Sequence, residues 1–487
     1  MSSGWEALIG DGALSSVLPE AYAPYRRPIR GALSRFVDLL SPVHRMVILH
    51  QQAGLAQSTP AAQRLSLLAR SCPVLHKLGQ SLSRDRRLPA ELRGHLQQLE
   101  SFPPVLDFEI LRAELVREFG PLERLGVSLR PPALAEASVA VVIPFEWNAP
   151  RGTIRQGVFK LLKPGIAERL EHELSIMEHV GVYLDQRCHA YGIPPIDYRG
   201  TFEQVREKLR NEVRLDLEQH HLAMAADFYA SDPGVHIPAL FPFGTPRVTA
   251  MERIRGRKVT EHGLATDSAR RQLAERVIQA LIARPVMSRE PRSFFHADPH
   301  AGNLLYTDRG RLAVLDWSLV GRLGERERTA MVQILLAALL LDGRRITGIL
   351  THLDISGRVQ RPVLEAVVHA WLNRIGAFRP PGFSWLTGML DEAVQKAGLR
   401  LSGDLLLFRK TLHALEGVVA DIGTAPDALD QVLLRRFMMQ LAVEWPLRWL
   451  KSPFSRAYGT RLSSADLMGS ALKLPAVVGR YWAEAKY

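Results

Sequence analysis

Cysteine is scarce in this chain of 487 residues, which contains only Cys72 and Cys188. Two thiols by themselves cannot build a disulfide framework or a four-ligand zinc site. Chains that do not use cysteine for cross-links are typical of reducing compartments. The sequence therefore predicts a cytoplasmic protein.

Long apolar runs are also missing from the sequence. The longest one, Ile334 to Leu341, has eight residues, whereas a helix that crosses a membrane needs about 20. The segment from Met1 to Arg30 lacks the basic start and apolar core of a signal peptide. We therefore expect no transmembrane helix and no signal peptide, and at most a peripheral association with a membrane.

Lysine supplies only 10 of the 62 basic residues, so a lysine inside a motif is informative. Basic residues exceed acidic ones by 12, which permits an anionic partner, either a nucleic acid or an anionic membrane surface. Only the net charge speaks for nucleic acid, and the sequence contains no recognised binding motif. We therefore do not expect that partner. A content of 47% hydrophobic and 23% charged residues excludes a disordered or collagen-like chain.

Hydrophobic periodicity predicts helices, then a β-rich region, then more helices, which is α+β organisation. Helical spacing extends from Ala61 to Leu99, with a second helix from about Pro89, and another helix covers Asp107 to Phe119. The other predicted elements are a strand hairpin at Val139–Trp147 and Thr153–Leu162, helices at Ile166–Val182 and Arg206–Tyr229, a strand at Val248–Glu252, a hairpin at Leu304–Tyr306 and Leu312–Leu315, and mainly helix elsewhere after Thr266.

One set of polar residues has a spacing typical of phosphoryl transfer. It consists of His296, Asp298 and Asn303, followed after the small hairpin by Asp316-Trp317. Asp298 can orient or deprotonate an attacking hydroxyl or water, His296 can brace the loop, and Asn303 and Asp316 can hold Mg²⁺ on nucleotide phosphates. Asp-Pro and Gly-Asn are also ordinary turn dipeptides, but turn chemistry does not account for the whole set.

Such a site also needs a strand lysine for the phosphates and a helix glutamate that holds the lysine. Lys160 lies in a predicted strand, and an apolar strand rarely accepts an unpaired ammonium. Glu212 and Glu218 lie on the predicted helix Arg206–Tyr229, where six residues correspond to about 600° of rotation, so they can serve different partners. Either glutamate alone is better explained as a solvated helix charge.

Taken together, these segments resemble the UbiB/AarF family of atypical protein-kinase-like proteins, over about residues 70 to 430. The catalytic-loop pattern alone is shared with aminoglycoside and choline kinase-like phosphotransferases. The segment Lys77-Leu-Gly-Gln80 distinguishes the two, because it resembles the K-x-G-Q motif of UbiB/AarF proteins. A glycine inside a helix costs about 1 kcal/mol against alanine, which is tolerable if another group must approach closely there. Further similar segments are Leu88-Pro-Ala-Glu-Leu, Phe102-Pro-Pro, Lys163-Pro-Gly165, Met251-Glu-Arg-Ile-Arg-Gly256 and Leu415-Glu-Gly417.

The resemblance implies a two-lobed protein-kinase-like fold of the α+β class with a helical N-terminal extension. The expected division is a segment of unknown role at residues 1–60, the K-x-G-Q extension at 61–130, a small β-rich lobe at 131–255, a helical lobe at 256–430 and a helical tail at 431–487. By the same resemblance, Lys160 binds the nucleotide with Glu218 as its partner, and Glu212 pairs with Lys77. The implied site residues are Asp298, Lys160, Glu218, Lys77 and Glu212 for catalysis, Ala135, Ala137, Ser138, Lys160 and Glu252 for the nucleotide, and Asn303 and Asp316 for the metal.

The implied cofactors are ATP or ADP and Mg²⁺, bound between the two lobes. In this family the N-terminal extension covers the place where a protein substrate would sit, so the resemblance implies ATPase activity or phosphorylation of something small. The implied process is isoprenoid-quinone or related lipid biosynthesis. The implied partners are an isoprenoid lipid or an anionic membrane surface and other biosynthetic enzymes.

Three positions depart from the family pattern. Arg214 replaces the second acid of an E-x-D pair, Glu136 lies within the alanine-rich loop, and Ser318 replaces the glycine of the D-F-G equivalent. Serine disfavours backbone angles that glycine permits, and Glu136 would repel phosphates if it faced them. These departures leave open a nucleotide-binding scaffold with negligible turnover. A small-molecule phosphotransferase with an open acceptor site is a further alternative.

Two other features are weaker. His220-His221 and the pair His296 and His300 suggest a metal site, but adjacent helical residues point about 100° apart and do not chelate together. The basic and aromatic tail from Trp445 to Arg461 suits contact with anionic lipid. A closing helix packed on the lobe, with its arginines in solvent, is slightly favoured for this tail.

Overall fold

The computed structural model describes residues 11–82, 88–100, 106–149, 152–193, 197–261, 266–375, 381–423 and 427–484. Backbone contacts divide the chain into two compact units. Unit 1 contains residues 1–226, 238–254 and 316–319, and unit 2 contains residues 227–237, 255–315 and 320–487. Each unit is therefore assembled from segments that are distant in sequence. The division into five consecutive segments stays a prediction.

Helices form most of the N-terminal part of unit 1. They are α1 (Asp11–Val17), α2 (Arg26–Leu39), α3 (Pro42–Ala53), α4 (Ala61–Ser71), α5 (Pro73–Leu82), α6 (Ala90–Gln97), α7 (Phe108–Phe119), α8 (Ile166–Tyr191), α9 (Tyr198–Arg210) and α10 (Leu215–Tyr229, to residue 226 in this unit). The apolar faces of α2, α4 and α8 meet in one core, where Phe36, Leu68 and Leu174 are buried. This core holds the long helix α8 against the N-terminal helices.

The strands of the described residues form three sheets. They are β1 (Val127–Leu129), β2 (Ala135–Glu136), β3 (Ala140–Asn148), β4 (Ile154–Leu162), β5 (Val235–His236), β6 (Val248–Glu252), β7 (Gly256–Lys258), β8 (Arg292–His296), β9 (Leu304–Thr307), β10 (Leu312–Val314) and β11 (Val320–Gly324).

The sheet of unit 1 is antiparallel, with the order β1-β3-β4-β6 and with β2 paired to β3. Val141, Phe145 and Phe159 from this sheet are buried against Leu111 and Leu115 of α7. Branched and aromatic side chains suit such a half-buried pleated surface. The sheet thereby fixes the central strand β4, in whose register Lys160 lies opposite Val142 and Thr249.

Unit 2 contains two small sheets, with the orders β5-β10-β9-β7 and β11-β8. Its helices are α11 (Asp267–Ile278), α12 (Arg284–Met287), α13 (Glu325–Leu339), α14 (Gly343–Leu353), α15 (Arg361–Leu372), α16 (Phe383–Ala397), α17 (Gly403–Ile422), α18 (Ala428–Glu444) and α19 (Ser464–Glu484). The loop between β8 and β9 carries the phosphoryl-transfer residues that the sequence singles out.

Most of the predicted elements are confirmed. The side chain of Asp107 accepts a hydrogen bond from the backbone N–H of Glu109 at the start of α7, and Gly120 ends this helix with a φ of 71°. The hairpins β3–β4 and β9–β10 and the strand β6 occur within one or two residues of their predicted positions.

One predicted element is wrong, and one region contains strands that the sequence did not predict. The single helix predicted from Arg206 to Tyr229 is broken, because Arg214 has the non-helical angles φ −99° and ψ 74°, and its carbonyl starts α10. Asp216 and Glu218 in the first turn favour a helix start there. The region predicted as mainly helical after Thr266 also contains β8 and β11, since five-residue strands carry too little periodicity to be recognised.

Candidate functional site

Lys160 is the buried centre of the site in unit 1. Its side chain leaves the central strand β4, and its Nζ donates to both carboxylate oxygens of Glu218 on α10, each 2.8 Å away. The same Nζ lies 3.2 Å from Oδ2 of Asp316. The predicted pair of Lys160 and Glu218 is therefore present. The direct contact with Asp316 was not expected from the sequence, which assigned Asp316 to the metal alone.

The three charges of this cluster influence one another strongly. Burial alone would lower the pKa of Lys160, but the carboxylates of Asp316 and Glu218 raise it well above its usual range. Burial raises the pKa of Glu218 to about 7, although the Lys160 ammonium acts in the opposite direction. The ammonium therefore stays charged, and it presents a fixed positive charge where the two carboxylates converge.

The backbone at Asp316 is held in an unusual conformation. Asp316 has a φ of 51°, which a non-glycine residue rarely adopts, and its Oδ1 accepts from the backbone N–H of Ser318. Trp317 is fully buried, and its carbonyl lies 3.0 Å from Nδ1 of His221. His221 was not predicted to act here, and only its place on the same helix as Glu218 could have indicated it.

Lys77 and Glu212 form another charged pair in unit 1. Their Nζ and Oε1 atoms lie 3.0 Å apart, which is the pairing that the resemblance implies. Gln80 on the same helix donates to the carbonyl of Leu99, and a Cβ atom on Gly79 would lie 2.6 Å from Cδ1 of Leu99. The close approach that would justify a glycine here is confirmed. The similar segment Phe102-Pro-Pro lies outside the described residues.

Glu136 does not stand as an unpaired charge in the alanine-rich segment. It is buried, and its Oε1 lies 2.8 Å from Nζ of Lys163, in the segment that follows β4. Burial lowers the pKa of Lys163, while Glu136 acts to raise it. Ala137 donates to the carbonyl of Ala140 and so closes a tight turn. The charge of Glu136, which would repel phosphates, is therefore offset by Lys163. In the sequence, only the scarcity of lysine could have indicated this pair.

The remaining predicted nucleotide contacts are less informative. Ala135 is paired with Val142 at the start of the turn, and Ser138 is half-buried. Glu252 ends β6, where its carboxylate accepts from the backbone N–H of Ala239. Contact of these residues with a nucleotide stays a prediction.

The loop after β8 in unit 2 is braced by His296. The ring donates from Nε2 to the carbonyl of Leu315, and its Nδ1 accepts from the backbone N–H of Asp298. Asn303 is buried, and its Nδ2 donates to the carbonyl of Asp298, 3.1 Å away. Asp298 is half-buried, with its Oδ2 4.0 Å from Nε2 of His300. The bracing role predicted for His296 is confirmed, whereas the catalytic role of Asp298 stays a prediction.

The histidines considered for a metal have other contacts. His296 uses both ring nitrogens on the backbone, and Nδ1 of His300 accepts from the N–H of Gly302. The ring centroids of His220 and His221 are 6.1 Å apart. Whether either pair binds a metal stays as the sequence left it.

The sequence slightly favoured a tail whose arginines lie in solvent, and among Arg448, Arg456 and Arg461 only Arg456 is exposed. Arg448 and Arg461 are buried, and they pair with Glu444 and Glu325. The exposed side chains are instead largely apolar, and they include Trp445, Trp449, Leu450 and Phe454. Within the described residues, no helix has the length and the apolar character that crossing a membrane requires.

Comparisons with known proteins agree with this geometry. Residues 109–350 match the model of the ABC1 atypical kinase-like domain. The chain is 28% identical over 371 residues to a probable protein kinase UbiB of Pasteurella multocida, covering 71% of this chain and 68% of that protein. It is 26% identical over 367 residues to a probable protein kinase UbiB of Histophilus somni, covering 71% and 65%. The chain thus spans about two thirds of the length of these relatives.

The fold is similar to that of a solved structure. The complex of Rv3197 from Mycobacterium tuberculosis with erythromycin superposes with a TM-score of 0.51 and 20% identity, covering 81% of this chain and 97% of that one. This likeness supports a kinase-like fold of mixed helices and small antiparallel sheets. Through the domain at residues 109–350, the chain belongs to the UbiB/ABC1 family of atypical kinase-like proteins.

Proposed function

We propose that this chain binds a magnesium nucleotide and hydrolyses ATP, or transfers its terminal phosphate to a small lipid-related acceptor, in support of isoprenoid-quinone or related lipid biosynthesis. The observation that carries the proposal is the buried Lys160, held by Glu218 and Asp316. Burying an ammonium is costly, and a structural role would be filled as well by an apolar side chain. A role in binding phosphates explains why the charge is retained.

The chemistry of two side chains suits magnesium. Asn303 and Asp316 offer amide and carboxylate oxygens, the hard ligands that Mg²⁺ prefers while it keeps several waters. Because Nδ2 of Asn303 donates to the carbonyl of Asp298, its Oδ1 remains as the acceptor of that amide. The ion would neutralise charge on the phosphates, and Asn303 and Asp316 would hold it.

Each of the other residues has one task in this proposal. Lys160 binds phosphate oxygens, and Glu218 keeps its ammonium in place. Asp298 orients the attacking water or hydroxyl and accepts its proton, on a loop that His296 holds rigid. The pair of Lys77 and Glu212 fixes helix α5 on the segment that precedes α10.

A scaffold with negligible turnover is the second candidate. Both carboxylate oxygens of Asp316 already have protein partners, Lys160 and the N–H of Ser318, which would compete with a metal for this residue. Arg214 is exposed and forms a two-point pair with Asp216, so it supplies no acid at the position of the E-x-D pair. Binding without phosphate release would favour this candidate.

A membrane surface is proposed as a partner of the tail. Trp449, Leu450 and Phe454 are exposed beside Lys451, and aromatic and apolar side chains next to a basic one suit the interface of an anionic bilayer. Turnover that increases with anionic vesicles would support this partner.

The test is phosphate release from Mg-ATP, measured with and without anionic vesicles. We expect release by the unaltered chain and a loss of about 10²–10⁴-fold in the variant Asp298→Asn, because the general base is removed. Asp308→Asn is the matched control, since Asp308 is exposed in the turn of the neighbouring hairpin β9–β10. Equal release by Asp298→Asn and the unaltered chain would contradict the proposal, and binding without release would favour the scaffold.

A further inference from the structure

Three side chains of different chemistry meet inside the helical part of unit 1, away from Lys160. They are His44 on α3, Cys72 between α4 and α5, and Glu173 on α8. A ring nitrogen, the sulfur and a carboxylate oxygen of these residues lie within 4.8 Å of one another. Cys72 and Glu173 are both fully buried, so the cluster does not consist of polar side chains that meet on the surface.

Glu173 has an unsatisfied oxygen at this place. Its Oε2 accepts from the backbone N–H of Val74, 3.0 Å away. Its Oε1 is buried and has no hydrogen-bond partner among the described residues. A buried carboxylate oxygen without a partner is costly, and native structures usually satisfy such an atom with a donor, a water or an ion.

His44 is prepared for a ligand on its second nitrogen. Nε2 lies 2.9 Å from the carbonyl of Ser71, to which it can only donate. The ring then carries its proton on Nε2, and the lone pair of Nδ1 is available. Histidines that bind metals commonly make this kind of hydrogen bond to a backbone carbonyl.

We propose that His44, Cys72 and Glu173 bind one zinc ion. The set of nitrogen, sulfur and carboxylate oxygen is typical of zinc, whereas magnesium and calcium prefer oxygen alone. Tetrahedral zinc ligands are about 3.3–3.8 Å apart, so the three atoms need to approach by at most about 1.5 Å. On binding, the Cys72 thiol and the Glu173 carboxyl each give up a proton to solvent, their sulfur and oxygen bond to zinc together with the His44 nitrogen, and a water fills the fourth position.

The position of the site suggests what the ion does. Cys72 immediately precedes α5, whose second residue, Val74, is bonded to Glu173, and Lys77 lies on the same helix. An ion at the three ligands would join α3, α5 and α8 and fix the start of the helix that carries Lys77. The inference does not depend on nucleotide turnover.

Zinc and cobalt binding test the proposal on the full chain. We expect about one zinc ion per chain after loading and removal of free metal, and a sulfur-to-cobalt charge-transfer band in the near ultraviolet when Co²⁺ replaces zinc. Surface histidines give no such band. Cys188→Ala is the matched control, because Cys188 is also buried but its Sγ contacts the carbonyl of Asp185 instead.

The outcomes are distinct. We expect the charge-transfer band and the bound zinc to persist in Cys188→Ala. In Cys72→Ala and in His44→Gln, both should fall at least about tenfold. If Cys72→Ala does not fold, His44→Gln and the cobalt spectrum of the unaltered chain still show whether the three residues bind the metal. A chain that retains no zinc and shows no band would overturn the proposal and leave a buried water as the partner of Glu173. A band that disappears in Cys188→Ala would overturn it as well.

Discussion

At the scale of single residues, Lys160, Glu136 and Asp466 are charged side chains that are less than a tenth exposed. Lys160 is paired with Glu218 and Asp316, and Glu136 is paired with Lys163. Asp466 is paired with Arg345 and Arg456. Buried ion pairs seldom add stability over apolar replacements. We therefore interpret the group of Lys160, Glu218 and Asp316 as functional. The group around Asp466 has a different effect, since it ties the tail to helix α14 through Arg345.

The environment of Asp466 makes the free energy of unfolding depend on pH in the acid range. Burial alone would raise its pKa, but hydrogen bonds from Arg456 and Ser463 outweigh burial and lower it to about 2. A lowered pKa stabilises the folded state above the ordinary value of 3.8, and this stability is lost as the pH falls towards 2. We expect the free energy of unfolding to lose about 2 kcal/mol from this residue between about pH 4 and pH 2.

Denaturant titrations at several pH values check this prediction. Asp466→Asn should be less stable than the unaltered chain at pH 5, and the difference should shrink at pH 2. Asp267→Asn serves as a control, because Asp267 is exposed at the start of α11. A constant difference across the pH range would contradict the assignment.

At the scale of elements, helix α5 is fixed on α6 by a glycine. A Cβ atom on Gly79 would lie 2.6 Å from Cδ1 of Leu99 and 3.3 Å from Cδ2 of Leu96, and both leucines are buried. The glycine thus allows the close approach of the segment that carries Lys77. It also explains why a helix keeps a residue with poor helical propensity.

Gly79→Ala is therefore expected to destabilise the chain by about 1–2 kcal/mol, since overpacking outweighs the gain in helical propensity of about 1 kcal/mol. The matched control is Gly94→Ala on α6, where a Cβ atom meets nothing within 4 Å. That substitution should stabilise by up to about 1 kcal/mol. Thermal unfolding of both variants measures the difference, and stabilisation by both would show that α5 is loosely packed.

The elements also show what the sequence could predict. Asp107, Gly120 and the branched residues of β3 and β4 act locally, so their effects can be read from short segments. The break at Arg214 could not be predicted from apolar spacing, because its angles and the carbonyl contacts that start α10 decide it. The pairing of β8 with β11 joins segments about 25 residues apart, which periodicity does not register.

At the scale of the whole molecule, the two units interleave along the sequence. Residues 316–319 belong to unit 1, whereas the residues on either side of them belong to unit 2. Within unit 1 these four residues are held by Lys160 and His221. The sequence could predict the chemistry of Asp316 from its spacing, but not its contact with Lys160, because that contact depends on folding over 156 residues.

If Lys160 binds nucleotide phosphates, as we claim, its replacement must weaken the binding of Mg-ATP, which calorimetry measures. We expect the unaltered chain and Lys396→Met to bind with the same affinity, because Lys396 is an exposed, ion-paired lysine on α16. Lys160→Met should bind at least about tenfold more weakly, a loss of about 1.4 kcal/mol. Equal affinity of Lys160→Met and the unaltered chain, or no binding by the unaltered chain, would contradict the claim.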